Sequence, residues 1–392
     1  MKKPIYLDYH ATTPVDPCVF GVMKKFFLED FGNSGSNSHE YGDIAAKAIS
    51  EARNEIGIAI NSLSPSEVVF VSGATEANNL AIHGTALKLK EAGKTHIITS
   101  AIEHKAVLGV TDELERQGFQ VTYVQPNSDG ITDPQEVEKA ITPKTGLISI
   151  MHANNEIGII NDVKCIGEIA EKHDILFHCD AAQSFGKILI DVQGMHIHML
   201  SISAHKLYGP KGIGALYVRK KHPKVEIEPL LFGGGQERGL RPGTLATPLI
   251  AGLAEASRIA REEMINEGKR LQDLRDRLFK GLAERCSDVV INGSIEKRLP
   301  NNLNVSFLGV DAESLMMNLR SEIAVSNGSA CTSANWTNSH VLAGMNIDED
   351  RARSAIRFSL GRFTTQEEID YAIVQICEVV LRLRNTSMQA SL

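Results

Sequence analysis

A serine, a histidine and a lysine stand together at Ser203-Ala204-His205-Lys206, directly after the alternating apolar run Met199-Leu200-Ser201-Ile202. Period-2 alternation reads as a half-buried strand, and the turn formers Tyr208-Gly209-Pro210-Lys211-Gly212 end it sharply. A lysine amine at a strand end can form an imine with an aldehyde, while the neighbouring hydroxyl and imidazole bind a phosphate. Together they would hold a phosphorylated aldehyde. A lone Ser-x-His-Lys is more often a solvated lysine in a turn, so the rest of the chain has to decide.

Four further groups have the right chemistry. Asp180, in Asp180-Ala181-Ala182-Gln183, ends an apolar run and would pair with a protonated ring nitrogen; its plainer role is a helix N-cap. Ala74 and Thr75, in Ser72-Gly73-Ala74-Thr75-Glu76, would open a helix whose first N–H groups suit a phosphate, joined by Ser203 and His205. His104 has the size to stack on a ring face and to move a proton, and is otherwise structural. Arg357, between Ile356 and Phe358, offers a planar fork for a carboxylate or, failing that, a buried ion pair. An imine lysine, an acid at a ring nitrogen, a phosphate cup and a carboxylate clamp are what pyridoxal phosphate asks of a protein. Cys331 lies in Asn327-Gly328-Ser329-Ala330-Cys331-Thr332-Ser333-Ala334, a run of small, mostly polar residues. Buried structural cysteines usually have apolar neighbours, so this thiol reads as one presented for reaction or as a fortuitous loop cysteine.

These residues need a scaffold that brings strand ends together. Strands at 67–71, 95–100, 120–125, 145–152, 175–180 and 199–204 alternate with helices at 77–90, 105–117, 134–141 and 163–173. That alternation predicts an α/β fold with a mostly parallel sheet, whose ligands sit outside the carboxyl ends of the strands. The polar clusters Ser72–Thr75, Glu103-His104, Asn154-Asn155-Glu156, Asp180–Gln183 and Ser203–Lys206 all fall at such ends. Upstream, 31–39 reads as a loop and 43–60 as a helix capped by Asp43. Downstream, a long helical region over 248–284 precedes strands at 302–307, 323–326 and 355–360 and helices at 312–320 and 366–384, with fraying from Asn385. The predicted division is a large domain over 16–260 and a small α+β domain from 1–15 and 261–392 that carries the cysteine loop.

The 392 residues allow two domains, and 43% hydrophobic with 23% charged residues is ordinary globular composition. A formal net charge of -7 argues against direct nucleic-acid binding through a basic surface. Neither a secretory leader nor a membrane-length apolar run is read, and the expectation is a cytoplasmic protein. The six cysteines (Cys18, Cys165, Cys179, Cys286, Cys331, Cys377) form no C-x-x-C pair, which argues against a zinc site or a disulfide framework.

The motifs Ser72-Gly73-Ala74-Thr75-Glu76, Glu103-His104-Lys105, His152-Ala153-Asn154-Asn155-Glu156-Ile157-Gly158, Asp180-Ala181-Ala182-Gln183-Ser184, His205-Lys206-Leu207-Tyr208-Gly209-Pro210-Lys211-Gly212, Gly328-Ser329-Ala330-Cys331 and Ile356-Arg357-Phe358-Ser359 resemble those of the cysteine desulfurases. These belong to the fold type I, class V aminotransferase-like pyridoxal phosphate enzymes. The resemblance implies a large domain with a seven-stranded sheet and a small C-terminal domain. It implies that Lys206 carries the imine and acts as base, that His104 stacks and shuttles protons, and that Asp180 and Gln183 meet the ring nitrogen and ring oxygen. Ala74, Thr75, Ser203 and His205 would hold the phosphate with Thr244 of a partner subunit, and Asn155 with Arg357 would bind the substrate carboxylate. Cys331 would take sulfur from L-cysteine as a persulfide, leaving alanine, and pass it to acceptor proteins; it could also ligate a transient iron–sulfur cluster shared with an acceptor. The implied assembly is a homodimer. The short Gly-Ser-Ala-Cys loop is similar to the housekeeping bacterial class, which serves iron–sulfur assembly and tRNA thiolation. Asn327 and the short C-terminal tail depart from that class. Residues 31–36 and 233–242 look similar to members serving DNA phosphorothioation. The rivals are an aminotransferase or β-lyase on the same scaffold, which has no need of Cys331, and a non-catalytic sulfur-relay protein.

Overall fold

The computed structural model describes residues 3–328 and 339–390. Its centre is a seven-stranded sheet of β2 (Val68–Val71), β3 (His96–Ser100), β4 (Gln120–Val124), β5 (Thr145–Ser149), β6 (Leu176–Asp180), β7 (Met199–Ser203) and β8 (Gly214–Val218). The strands lie in the order β2-β8-β7-β6-β5-β3-β4. β8 runs antiparallel to both its neighbours, and the other pairs are parallel. This is the mostly parallel α/β sheet that the alternation predicts.

Both faces are covered, which explains the near-continuous apolar strands. Successive side chains of a strand serve opposite faces. In β2, Val68 and Phe70 join one core while Val69 and Val71 join the other. The first face packs α2 (Glu40–Ala59) and α6 (Val163–Lys172) through Ile49, Ile56 and Ile166; the second packs α3 (Ala74–Glu91) and α4 (Lys105–Arg116) through Leu80, Val107 and Leu114. Helix α7 (Thr247–Arg285) is 39 residues long. Its first half contributes Ile250, Leu253 and Ala256 to the sheet core, and its second half contributes Leu271, Leu274, Leu278 and Leu282 to a separate core. That second core is built on the antiparallel sheet of β9 (Val289–Ile291), β10 (Asn302–Phe307) and β12 (Ala355–Ser359), with α8 (Ala312–Leu319) and α11 (Gln366–Ala390).

Residues 5–16 tie the two sheets together. Ile5 and Tyr6 pair in parallel with Ile323 and Ala324. The Ser359 N–H donates to Leu7 O, and the His10 N–H to Ser359 Oγ, at 2.8 Å each. On the other side the Thr13 N–H donates to His205 O at 2.9 Å, and the Tyr208 N–H to Thr13 Oγ1 at 2.8 Å.

Local expectations are corrected in four places. A helix α1 (Pro17–Leu28), capped by Asp16, precedes the 31–39 loop. Helix α2 begins at Glu40, because the His39 ring accepts from the Gly42 N–H; Asp43 lies inside its first turn. The strand expected over 323–326 shortens to Ile323–Ala324, with Ser326 bridged singly to Arg357. Helix α11 continues to Ala390, past the expected fraying.

Glu156, deep between the two cores, accepts a hydrogen bond from Ser339 Oγ at 2.5 Å, and its side chain packs on Gly328. Burial pushes its carboxyl up to about 7, with the Ser339 bond and Arg357 opposing. The folded chain therefore keeps a proton that the unfolded chain releases above about 4.5, and the stability this confers is lost as pH rises from there to about 7. Glu156→Gln, a permanent mimic of the neutral acid, should lie within about 1 kcal/mol of the parent in urea unfolding at pH 5. At pH 8 it should exceed the parent by about 2–3 kcal/mol; equal stability at pH 8 would contradict the assignment. Gly214 is a separate constraint: a Cβ there would lie 2.4 Å from Ile202 O and 2.7 Å from the Gly73 Cα. Gly214→Ala should cost about 1–3 kcal/mol in the same assay, and an unshifted midpoint would show that this backbone can yield.

Candidate active site

The carboxyl ends of β2, β5, β6 and β7 open on a cleft of about 580 Å³. It is lined by Ala74, Thr75, His104, Asn155, Asp180, Gln183, Ser203, His205, Lys206 and Arg357, each singled out by sequence. Two expected residues stand apart. Thr244 is exposed in the loop before α7 and is not among the residues lining this cleft, and Cys331 lies outside the described residues.

Helix α3 starts at Ala74 because Gly73 adopts φ 155°, open to glycine and not to side-chain residues. Gly73 supplies no capping side chain, so the first-turn N–H groups have no intrahelical acceptor. The acid in this turn, Glu76, is engaged elsewhere: it accepts from the Ser72 N–H at 2.7 Å and pairs with Arg241 at 3.0 Å. Ser203 and His205 face the same end. His205 is held at about 4 by burial and by Lys206, Lys211 and Lys187, so it is neutral at pH 7, with Nδ1 3.1 Å from Thr12 Oγ1. This corner is a cradle for a dianion.

Asp180 sits at the other end, buried, with both oxygens engaged: Oδ1 accepts from the Ala182 N–H at 2.8 Å and Oδ2 from Asn78 Nδ2 at 2.7 Å. Asn78 aims the carboxylate from the first turns of α3, so cradle and acid share one helix. The helix-cap reading of Asp180 is not met: residues 182–187 form turns and not a helix, and the bond from Ala182 closes the first of them on a residue that lines the cleft. His104 caps α4, its Nδ1 accepting from the Ala106 N–H at 3.1 Å. That bond leaves the ring proton of the neutral imidazole on Nε2. Burial, with help from Lys206, lowers His104 below the ordinary histidine range.

The Lys206 amine donates to Ala11 O at 2.9 Å and to His10 O. The same His10 carbonyl accepts from Gln183 Nε2 at 3.0 Å. Arg357 satisfies both readings. It pairs with Asp8 at 2.6 Å and donates to Asn155 O at 2.9 Å, yet it lines the cleft, and its buried Nε has no partner among the described residues. Sequence reasoning missed Asp8, His10, Thr12 and Asn78. Asn78 stands four residues past Ala74, about one helical turn, a spacing that could have marked it; the others meet the site only through contacts over about 150–350 residues. Among the described residues no group of three or more His, Cys, Asp or Glu side chains could hold a metal ion.

A cradle for a dianion, an oriented carboxylate and a lysine amine, all lining one cleft, fit pyridoxal phosphate. The comparisons agree. The Aminotransferase class-V family model matches residues 5–372. The chain is 54% identical to cysteine desulfurase IscS of Proteus mirabilis over 389 residues, 99% of this chain and 95% of that protein. A NifS-like protein superimposes with a TM-score of 0.89 at 39% identity, covering 96% of this chain and 99% of the other. A structure described as SspA in complex with cysteine gives 0.80 at 42% identity, covering 93% and 100%. On its cleft and on these relatives, the chain belongs to the class-V aminotransferase family and, within it, to the cysteine desulfurases.

Proposed function

We propose that this chain takes sulfur from L-cysteine at the cleft described above, that Cys331 receives it as a persulfide, and that acceptor proteins receive it in turn. The reading is supported above all by one observation: Lys206, Asp180, His104, Arg357 and the α3 N-terminus converge on a single cleft in a chain of this family. Pyridoxal phosphate, when bound, supplies an electron sink for the substrate α-carbon. Lys206 and His104 are the groups placed to move protons there, and the Nε2 proton of His104 is available for donation. Asp180, fixed by Asn78 and Ala182, would hold its charge against the ring nitrogen, and Gln183 would meet the ring oxygen. The α3 N-terminus, Ser203 and His205 would orient the phosphate. Arg357 and Asn155 would form the carboxylate clamp, with Asp8 paired to the guanidinium. The transfer balances without an external oxidant: the cysteine C–S bond breaks, a sulfur–sulfur bond forms on Cys331, and alanine leaves with the proton.

Thr244, exposed and not among the residues lining its own cleft, suits a phosphate contact in a second copy. Exposed Phe20, Phe27 and Leu28 on α1, with Phe232, supply apolar surface of the kind a partner covers. Both observations support a homodimer as the proposed assembly. We divide the chain into two domains, 16–260 against 1–15 with 261–392, a reading supported by the separate cores at the two ends of α7. None of the described helices is long and apolar enough to cross a membrane, and we place the protein in the cytoplasm.

Cys331→Ser should reduce alanine and sulfide formation at least about 100-fold, in line with loss of a nucleophile, while the cofactor absorbance is unchanged. Sulfide release that survives this substitution would favour a β-lyase. Lys206→Ala should remove the covalently bound chromophore; a variant retaining the parent absorbance would exclude Lys206 as its anchor.

A further inference from the structure

Lys187 has no part in the machinery above. It follows Gly186, whose φ of 75° turns the chain back beneath the cleft after β6. The lysine lines a second, water-sized cavity behind the site, together with Lys206, Tyr208, Glu267, Asn301 and Arg362. Its Nζ donates to Gln183 Oε1 at 3.3 Å. Gln183 Nε2 donates in turn to His10 O at 3.0 Å, the carbonyl that also accepts from Lys206. A chain of hydrogen bonds therefore runs from one lysine amine to the other.

The polarity of this chain follows from elementary donor chemistry. The His10 carbonyl can only accept, so the Gln183 atom facing it is the NH₂ nitrogen, and the amide oxygen is left to accept from Lys187. The NH₂ group then faces His10 and the cleft. Rotating the amide by 180° would set its oxygen against His10 O and, while Lys187 is charged, its NH₂ against an ammonium, losing both hydrogen bonds. Only the observed setting presents a donor to an anionic ring oxygen.

We propose that Lys187 is a positioning residue for the cofactor: it fixes the Gln183 amide with its NH₂ toward the cleft and adds positive charge behind Lys206. This rests on the reading of Gln183 and Lys206 given under Proposed function. The charged groups facing Lys187 are Lys206 after β7, Arg357 on β12, and Glu267 on α7, whose carboxylate is shared with Arg362 at 2.8 Å. Burial, followed by Lys206, pulls Lys187 down to about 7, while Glu267 opposes. The amine still donates to Gln183 in either protonation state.

The readout is the pH midpoint at which the absorbance of the bound cofactor changes form, measured with no substrate present. A donor at the ring oxygen disfavours protonation there, and below about pH 7 the charge of Lys187 adds to the effect. Lys187→Met, which keeps the aliphatic stem, should therefore raise the midpoint by about 0.5–1 unit. Gln183→Leu should raise it comparably, and the double variant should add little to Gln183→Leu. Lys187→Arg, which retains a donor and a charge, should stay closer to the parent than Lys187→Met. A Lys187→Met midpoint that does not move, or a shift that adds in full to that of Gln183→Leu, would overturn the proposal. If Lys187→Met does not fold, Lys187→Arg decides: a shift as large as that of Gln183→Leu would overturn it, and a parental midpoint would support it. A parent protein that binds no cofactor would instead refute the site reading on which the proposal rests.

Discussion

The carbonyls of His10 and Ala11 hold the Lys206 amine, and on this crossing the rest of the site depends. The segment around them bonds to β12 through Leu7, His10 and Ser359, and to the turn after β7 through Thr13, His205 and Tyr208. The carboxylate clamp on one sheet and the lysine on the other thus keep a common reference. Closing contacts over roughly 195 and 349 residues is costly in chain entropy. Buried backbone groups on both sides must find partners, and the strap supplies them, which favours this one arrangement.

Charge is handled by the same economy of pairing. Arg357 is almost wholly buried and would carry a large desolvation cost if unpaired. Asp8 and Asn155 O offset that cost while leaving the guanidinium at the cleft wall. Arg362 plays the corresponding role beneath, shared between Asp16 and Glu267 and stacked 4.3 Å over the Tyr208 ring. Both arginines rely on acids outside the sheet strands, from the N-terminal segment and from α7. The site is therefore sensitive to the joint between the two cores, although its ligand-facing residues come mainly from one of them.

Much of this was legible in the sequence because parallel α/β architecture places polar residues at strand ends. Asp180, Ser203 and Ser72 each end or follow an apolar run, and the sheet brings those ends to one edge. What could not be read depended on partners far along the chain. The run GALYV gives no sign of direction, and β8 turns antiparallel because a short turn after Lys206 doubles the chain back. Helix α1 hides its period: Val19 and Met23 are buried while Phe20, Phe27 and Leu28 are exposed. Lys187 reads as an ordinary surface lysine until Gln183 is placed beside it. Cys331 was legible from its small polar neighbours, but its surroundings lie outside the described residues.

The proposed anchor of the cofactor is Lys206, although Lys211 lines the same cleft and Lys187 lines the cavity behind it. Borohydride reduction of the protein loaded with pyridoxal phosphate, followed by digestion and peptide mass mapping, tells these lysines apart. A single added pyridoxyl group is expected, on the peptide bearing Lys206. An added group on Lys187 or Lys211 instead, or none on any lysine, would contradict it.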